Sequence, residues 1–134
     1  MKNVYCISDI HGCYEEFIEL LQLINFNCNN DIIYILGDVI DRGARSIDCL
    51  KYIQKTKGIH LLLGNHEFIM LDFFDSNYPQ REWRVWKENG GETTGRQLND
   101  LSSSEQFKLL EYIRRRPLYK TVNVDGKRFF LSTT

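Results

Sequence analysis

The fold is decided by residues 31–43, which read Asp31-Ile32-Ile33-Tyr34-Ile35-Leu36-Gly37-Asp38-Val39-Ile40-Asp41-Arg42-Gly43. The first part, 31–36, is a near-continuous apolar run, which is typical of a strand buried on both faces of a sheet. The second part is a turn between two glycines that carries the carboxylates of Asp38 and Asp41 beside Arg42. A buried strand that leads directly into such a turn predicts a site at the carboxyl end of the strand.

Two further apolar runs, 4–8 and 59–63, predict strands on either side of this one along the chain. Apolar residues at helical spacing predict a helix over 13–25 between the first two strands. A second helix is expected over 46–57, with Ser46 as its N-cap and Gly58 as its C-terminal cap. Alternating strands and helices of this length predict a parallel sheet with right-handed crossovers, so the fold class is α/β.

The second half of the chain has a less regular pattern. A helix is expected over 67–75, whereas residues 78–100 are rich in aromatic, charged and glycine residues, and no element is assigned to them. Asn89-Gly90-Gly91 interrupts any regular element in that segment.

Clearer local signals return after residue 100. Ser102 and Glu105 have the spacing of a capping box, which predicts a helix that must end before Pro117. Strand patterns over 119–124 and 127–132 then flank Asp125-Gly126. An Asp-Gly pair between two such patterns predicts a hairpin with a two-residue turn.

Composition excludes several classes of protein. The 134 residues fit one domain, and the 18 acidic and 17 basic side chains nearly cancel, so no nucleic-acid partner is expected. The only basic cluster, Arg114-Arg115-Arg116, lies at a predicted helix end, where it can interact with the helix dipole. The four cysteines form no Cys-x-x-Cys pair and no segment is long and apolar enough for a membrane span. Free thiols and a cytoplasmic location are expected.

Three short polar motifs follow the three predicted strands. Besides the turn of 37–43, they are Asp9-Ile10-His11-Gly12 and Gly64-Asn65-His66-Glu67. Because the carboxyl ends of parallel strands meet at one edge of a sheet, the three motifs should share one site. Carboxylate, amide and imidazole groups gathered from distant positions are typical of a metal site.

Each motif alone also has an ordinary structural explanation. Asp9 and His11 alternate on an extended strand end and so can reach the same side, but the pair also fits a capping aspartate beside a histidine. The turn of 37–43 can be a surface turn with a local salt bridge. Asn65 can cap a helix whose first turn is stabilised by Glu67. The occurrence of all three motifs in order, each after a strand, favours the shared site.

The motifs Asp-x-His-Gly, Gly-Asp-x-x-Asp-Arg-Gly and Gly-Asn-His-Glu resemble those of the calcineurin-like metallophosphoesterases. Within them, the chain is similar to the phosphoprotein phosphatase family of serine/threonine phosphatases. Trp86 with Asn89-Gly90-Gly91 resembles the bacterial and phage branch, which also includes the symmetrical dinucleoside tetraphosphate hydrolases. The resemblance implies a four-layer α/β/β/α architecture. Of this, residues 1–134 would supply one incomplete domain, the N-terminal half.

The resemblance also implies a dinuclear metal site. Asp9, His11 and Asp38 would bind one ion, while Asp38 and Asn65 would help to hold a second. Hard oxygen and imidazole ligands without thiolate favour manganese, iron or zinc over copper. The resemblance to the bacterial branch makes manganese the expected metal, with iron or zinc as alternatives. The family places a further histidine where this chain has Thr133 and another later still. The second site is therefore expected to be weak.

The same resemblance implies the catalytic roles. Arg42 would grip the phosphate, with Asn65 and His66 also contacting the substrate. His66 would be the general acid that protonates the leaving oxygen, oriented by Asp41. Catalytic roles thus fall to His66, Asp41 and Arg42.

The expected activity is hydrolysis of phosphomonoesters by a metal-activated water, foremost phosphoserine or phosphothreonine in proteins. Two alternatives stay open: hydrolysis of dinucleoside polyphosphates or other nucleotides, and an impaired fragment that only binds metal or phosphate. The expected partners are a phosphoprotein or a small phosphoester. Since a hairpin over 119–132 would leave a sheet edge and an apolar face uncovered, self-association is also expected.

Overall fold

The computed structural model describes residues 2–133 and confirms the α/β class. These residues form five strands and six helices: β1 Val4–Ile7, α1 Tyr14–Leu23, β2 Ile32–Ile35, α2 Ser46–Lys55, β3 Ile59–Leu61, α3 Asn65–Asp75, α4 Pro79–Glu88, α5 Glu92–Asn99, α6 Ser103–Arg114, β4 Lys120–Val124 and β5 Lys127–Leu131. The predicted elements before residue 76 are all present. Their ends differ from the expected ones by one or two residues, as is common for element boundaries.

The parallel sheet has the order β1-β2-β3, so β2, the strand within residues 31–43, lies in the centre. Ile33 and Ile35 of β2 are completely buried. Burying such a side chain contributes roughly 1.5–3 kcal/mol, which makes this strand a main source of the sheet's stability. All three strands run in the same direction, and the three polar motifs therefore leave the sheet at the same edge.

The segment 78–100, to which the sequence pattern assigned no element, contains the two helices α4 and α5. Pro79 occupies the first turn of α4, where its fixed φ suits a helix start and its missing N–H is not needed. Asn89-Gly90-Gly91 does interrupt regular structure, but only as the short connection between the two helices. Trp86, which is buried, packs against Phe73 and Trp83 and holds α4 against α3.

The local signals after residue 100 are confirmed. The hydroxyl of Ser102 accepts a hydrogen bond from the Glu105 N–H at 3.1 Å, and the Glu105 carboxylate accepts one from the Ser102 N–H at 3.3 Å. Strands β4 and β5 pair antiparallel around Asp125 and Gly126, which both have positive φ. Phe130, at 67% exposure, is one of several exposed apolar side chains in and beside this hairpin. Self-association through it stays a prediction.

The four cysteines are free thiols, and Cys49 is the buried one. Burial raises the pKa of the Cys49 thiol to about 12. Of the helices formed by residues 2–133, none combines the length and apolar character that crossing a membrane requires.

Asp31, directly before β2, ties the connection after α1 to the start of β1. Its buried carboxylate accepts hydrogen bonds from the N–H groups of Asn27 at 2.9 Å and Asn3 at 3.1 Å. These bonds, that of Asn27 first, lower the pKa of Asp31. A lowered folded-state pKa stabilises the fold above the unfolded-state pKa, and this stabilisation is lost as pH falls through the folded-state value.

Asp31→Asn is therefore expected to reduce the free energy of unfolding more at neutral pH than in acid. Urea unfolding at a series of pH values from neutral to acid measures how the free energies of unfolding of the two chains differ. The matched control is Asp125→Asn in the exposed hairpin turn, where asparagine is equally suited to positive φ and stability at neutral pH should hardly change. If the free energy of unfolding differed between wild type and Asp31→Asn by the same amount at every pH, the lowered pKa of Asp31 would be contradicted.

Candidate active site

The sequence-predicted site residues come together at the carboxyl edge of the parallel sheet. A cleft of about 580 Å³ is lined by six of them: Asp9, His11, Asp38, Arg42, Asn65 and His66. The seventh, Asp41, is completely buried beneath the cleft in contact with His66. Phe68, Ile69 and Asn89 complete the lining. The structure thus places all seven residues at one site, although it does not assign their roles.

The first two motifs are held together through their backbones. The N–H of His11 donates to the carbonyl of Asp38 at 3.0 Å, and the N–H of Gly12 donates to that of Val39 at 2.7 Å. Asp9, His11 and Asp38 all have positive φ, as do the following site residues Asp41 and Arg42. Left-handed backbone at non-glycine residues costs roughly 1–3 kcal/mol each and is concentrated at functional sites.

The backbone at Asp9 and His11 differs from the predicted one. Asp9 and His11 do not alternate on an extended strand, because β1 ends at Ile7 and both residues lie in a left-handed turn. The turn nevertheless brings the His11 Nε2 to 3.9 Å from the Asp9 Oδ1. The two side chains meet through the turn rather than through strand alternation.

Close approach of the second and third motifs depends on two glycines. A Cβ at Gly37, which has a φ of 92°, would lie 2.2 Å from the backbone nitrogen of Gly64. A Cβ at Gly64 would lie 2.6 Å from the Asp38 Oδ1. Since real side chains do not tolerate such distances, only glycine allows the Asp38 carboxylate to sit beside the start of α3.

Glu67 connects the same two motifs from below. Its buried carboxylate accepts hydrogen bonds from the N–H groups of Asp38 at 2.7 Å, Gly64 at 2.9 Å and Val39 at 3.0 Å. Desolvation raises the pKa of Glu67, and the N–H groups partly oppose that rise. Sequence reasoning gave Glu67 only a role in the first helical turn. It missed the contacts with the turn of 37–43, for which the local pattern carries no signal.

His11 is oriented by a backbone partner. Its Nδ1 lies 2.8 Å from the carbonyl oxygen of Ile40. A carbonyl can only accept, so Nδ1 carries the proton and Nε2 presents its lone pair on the Asp9 side. A hydrogen bond from one ring nitrogen to a backbone carbonyl commonly fixes the tautomer of a metal-binding histidine.

His66 is oriented by Asp41. The His66 Nδ1 lies 2.8 Å from the Asp41 Oδ2, and because a carboxylate accepts, the imidazole donates. The backbone N–H of His66 also donates to the Asp38 Oδ1 at 3.0 Å. The His66 and His11 rings meet edge to face, with their centroids 4.6 Å apart. His66 is therefore fixed at its backbone and at its ring, with Nε2 as the remaining ring nitrogen.

Asp41 has two further side-chain partners that sequence reasoning missed. The indole Nε1 of Trp86 lies 3.0 Å from both carboxylate oxygens, and the Thr94 hydroxyl donates to Oδ1 at 2.7 Å. The Asp41 N–H points to the Thr94 Oγ1 and to the Ser46 Oγ. Ser46 was expected to be the N-cap of α2 but is its first residue. Its hydroxyl accepts the hydrogen bond from the Asp41 N–H instead of capping the helix. Of these partners of Asp41, only Trp86 could have been suspected from the sequence, because a buried indole N–H needs an acceptor.

Arg42 extends from the second motif onto the cleft wall. Its backbone N–H donates to the carbonyl of Gly90 at 2.9 Å. Within the described part of the chain, the Arg42 guanidinium forms no ion pair, so the alternative of a surface turn closed by a salt bridge does not apply to it. An exposed guanidinium of this kind can bind phosphate through two parallel hydrogen bonds.

The donors in the cleft fit a divalent metal ion in their chemistry. Asp9, Asp38, His11 and Asn65 offer two carboxylates, one imidazole and one amide, which are hard ligands suited to manganese, iron or zinc. Over residues 2–133, no three His, Cys, Asp or Glu side chains lie close enough together to hold an ion by themselves. The metal assignment therefore stays a prediction that rests on the chemistry of these donors.

Comparison with solved structures supports the same fold. A metallophosphoesterase from Sphaerobacter thermophilus matches with a TM-score of 0.58 at 18% sequence identity, over 91% of this chain and 43% of that one. At this identity the similarity shows the fold alone.

Comparison with sequences identifies relatives. A symmetrical bis(5'-nucleosyl)-tetraphosphatase of Wigglesworthia glossinidia brevipalpis is 39% identical over 87% of this chain and 39% of its own length. One of Salmonella paratyphi B is 33% identical over 85% of this chain and 37% of its own. The chain thus spans about two fifths of the length of these curated relatives. Their names agree better with the dinucleoside polyphosphate alternative than with the expected phosphoprotein substrate.

The family itself is shown by a match along nearly the whole chain. The sequence family described as calcineurin-like phosphoesterase matches residues 2–131, which include the three motifs and both sheets. The chain belongs to the calcineurin-like phosphoesterase family.

Proposed function

We propose that this chain carries the site of a metal-dependent phosphoesterase that hydrolyses dinucleoside polyphosphates. The observation that carries the proposal is the cleft in which six predicted residues meet, with one of them, His66, hydrogen-bonded to the buried Asp41 beneath it. The relatives named above supply the substrate class. Phosphoprotein hydrolysis, the first expectation from the motifs, has no such support.

The residues divide the reaction between them. Asp9, His11, Asp38 and Asn65 would hold the metal, and manganese is the ion we propose. A bound divalent ion would supply a Lewis acid for the phosphate oxygens and activate a water molecule. Two oxygen ligands, Asp38 and Asn65, would hold a second ion only weakly.

Two other residues of the cleft, Arg42 and His66, act on the substrate directly. Arg42 binds non-bridging phosphate oxygens and neutralises their charge. As the water oxygen bonds to phosphorus and releases a proton to solvent, the bridging P–O bond breaks, and the His66 Nε2 delivers a proton to the departing oxygen. Asp41 stabilises the positive imidazole before transfer and fixes its direction. General-acid catalysis of this kind contributes roughly 10²–10⁴-fold to a rate.

The substrate class is tested by comparing three compounds with the purified chain and added manganese: diadenosine tetraphosphate, an aryl phosphate and a phosphoserine peptide. The proposal expects the highest kcat/KM for diadenosine tetraphosphate. A preference for the peptide would return the assignment to a protein phosphatase. Hydrolysis of none of them would leave the chain as a metal- or phosphate-binding piece and overturn the proposal.

Removal of metal should abolish hydrolysis, and manganese should restore it. Metal analysis of the reloaded chain is expected to give about one ion per chain, because the second site has only two side-chain ligands among the cleft residues. Two tightly bound ions per chain would contradict the expected weak second site. Hydrolysis that survives exhaustive chelation would contradict metal dependence itself.

A further inference from the structure

We propose that Trp86 and Thr94 are positioning residues for His66 and that they act through the Asp41 carboxylate. The proposal rests on the proposed function, because it concerns the proton that His66 would deliver. Neither residue belongs to the three motifs, and neither lines the cleft. Both come from the segment 79–99, which forms α4 and α5 behind the site.

The contacts fix both oxygens of Asp41. Oδ2 accepts from His66 at 2.8 Å, while Oδ1 accepts from Thr94 at 2.7 Å. The indole N–H of Trp86 lies 3.0 Å from each oxygen and so bridges the two. A carboxylate held at both oxygens cannot rotate about its terminal bond. The direction of its hydrogen bond to His66 is therefore set by Trp86 and Thr94.

The same contacts allow a charge to exist beneath the cleft. Asp41 and Thr94 are completely buried, Trp86 is 1% exposed and His66 is 7% exposed. Among the described residues, no Lys or Arg pairs with Asp41, whose ion-pair partner is His66. An ionised carboxylate without a fixed cation is tolerated in such surroundings only when hydrogen-bond donors replace its water. Trp86 and Thr94 are those donors.

The orientation of the indole is itself constrained. Trp86 packs between the aromatic rings of Phe73, Phe74 and Trp83, at centroid distances of 5.6 to 6.2 Å. Gly91 lies against the edge of the indole, and a Cβ there would come within 2.2 Å of the Trp86 Cδ1. The aromatic cluster and the bare glycine together hold the N–H toward Asp41.

Thr94→Val is the sharpest test, because it removes the hydroxyl and keeps the shape of the side chain. Thr94→Ser keeps the hydroxyl and should restore the function. The matched control is Thr93→Val, one residue earlier in α5: among the described atoms the buried Thr93 hydroxyl has no hydrogen-bond partner. Its loss should leave the rate unchanged. Thermal unfolding of each variant shows that the chain is folded before rates are compared.

The rates are measured on aryl phosphates that differ in the acidity of the leaving phenol. A poor leaving group depends on the general acid, whereas a good one, such as p-nitrophenolate, departs with little help. We expect Thr94→Val to lower kcat roughly 10- to 100-fold for the least acidic phenol, the range typical of a lost orienting partner. For p-nitrophenyl phosphate the loss should be a few-fold at most, and KM should stay unchanged for both.

A double variant separates positioning from general damage. In the His66→Asn background, Thr94→Val should have no further effect on kcat, since its partner in the reaction is gone. A structural defect would instead lower the rate of the double variant again. Trp86→Phe, which removes the indole N–H from the same carboxylate, should show the same leaving-group dependence and the same loss of effect without His66.

The proposal is overturned if Thr94→Val lowers the rates of all substrates in proportion, changes only KM, or leaves them at the Thr93→Val level. If wild type hydrolyses nothing, the proposed function fails, and positioning is judged from NMR of the chain loaded with diamagnetic zinc in place of manganese. The His66 Nδ1 proton should then exchange slowly with water in wild type and Thr94→Ser, and rapidly in Thr94→Val and Trp86→Phe. Equal exchange in all four would overturn the positioning role as well.

Discussion

Glu67→Ala is expected to lower the free energy of unfolding by about 4 kcal/mol or more, because it leaves the N–H groups of Asp38, Val39 and Gly64 without their buried acceptor. A domain of this size is typically stable by only about 5–15 kcal/mol, so the loss is a large fraction of the total. Backbone strain in the turn of 37–43 makes the expected loss of stability larger. The left-handed backbone at Asp38 persists only while its surroundings hold it in place.

A graded series sharpens this prediction. Glu67→Gln keeps one oxygen for two of the donors and turns an amide NH₂ toward the third, so it should cost about 2–3 kcal/mol, between wild type and Glu67→Ala. The control Glu19→Ala changes an exposed residue of α1 and should stay within about 0.5 kcal/mol of wild type. Urea unfolding measures all three. A Glu67→Ala chain as stable as the control would show that the turns are held by other contacts.

The elements that could be predicted from the sequence are those that local patterns encode. Apolar runs and helical spacing gave the three parallel strands and their connecting helices, and turn chemistry gave the hairpin at Asp125 and Gly126. The missed helices α4 and α5 show the limit. Polar residues and Gly95 interrupt their apolar pattern, and their stability comes from the contact of Trp86 with the aromatic residues of α3. That contact is tertiary and leaves no period in the sequence.

The residues of the site likewise fall into those that local patterns predict and those that they do not. The cleft residues could be named because each follows a strand, and topology then brings strand ends together. The groups behind them could not. Thr94 is 53 positions from Asp41, and Glu67 is 29 positions from Asp38. No local pattern links such pairs, and the left-handed backbone of His11 contradicts the extended strand end that the spacing suggested.

Asp38→Asn is expected to abolish hydrolysis while leaving the fold intact. Asp38 is the one carboxylate assigned to both metal positions, and it lies in the cleft between the first and third motifs. Metal assistance is worth several kcal/mol in the transition state, and each 1.36 kcal/mol is tenfold in rate, so kcat/KM should fall roughly a thousandfold or more. The amide oxygen of asparagine can still accept the His66 N–H, which the Asp38 Oδ1 accepts at 3.0 Å.

Two measurements make the Asp38 result decisive. Manganese binding by calorimetry should weaken together with the rate, whereas the unfolding midpoint of the metal-free chain should stay close to wild type. The matched control Asp72→Asn alters an exposed aspartate of α3 outside the cleft and should change neither. Hydrolysis that persists in Asp38→Asn would point to a contaminating phosphatase. A variant that binds manganese as wild type does but has lost its activity would remove Asp38 from the metal site and leave it a role in holding the start of α3.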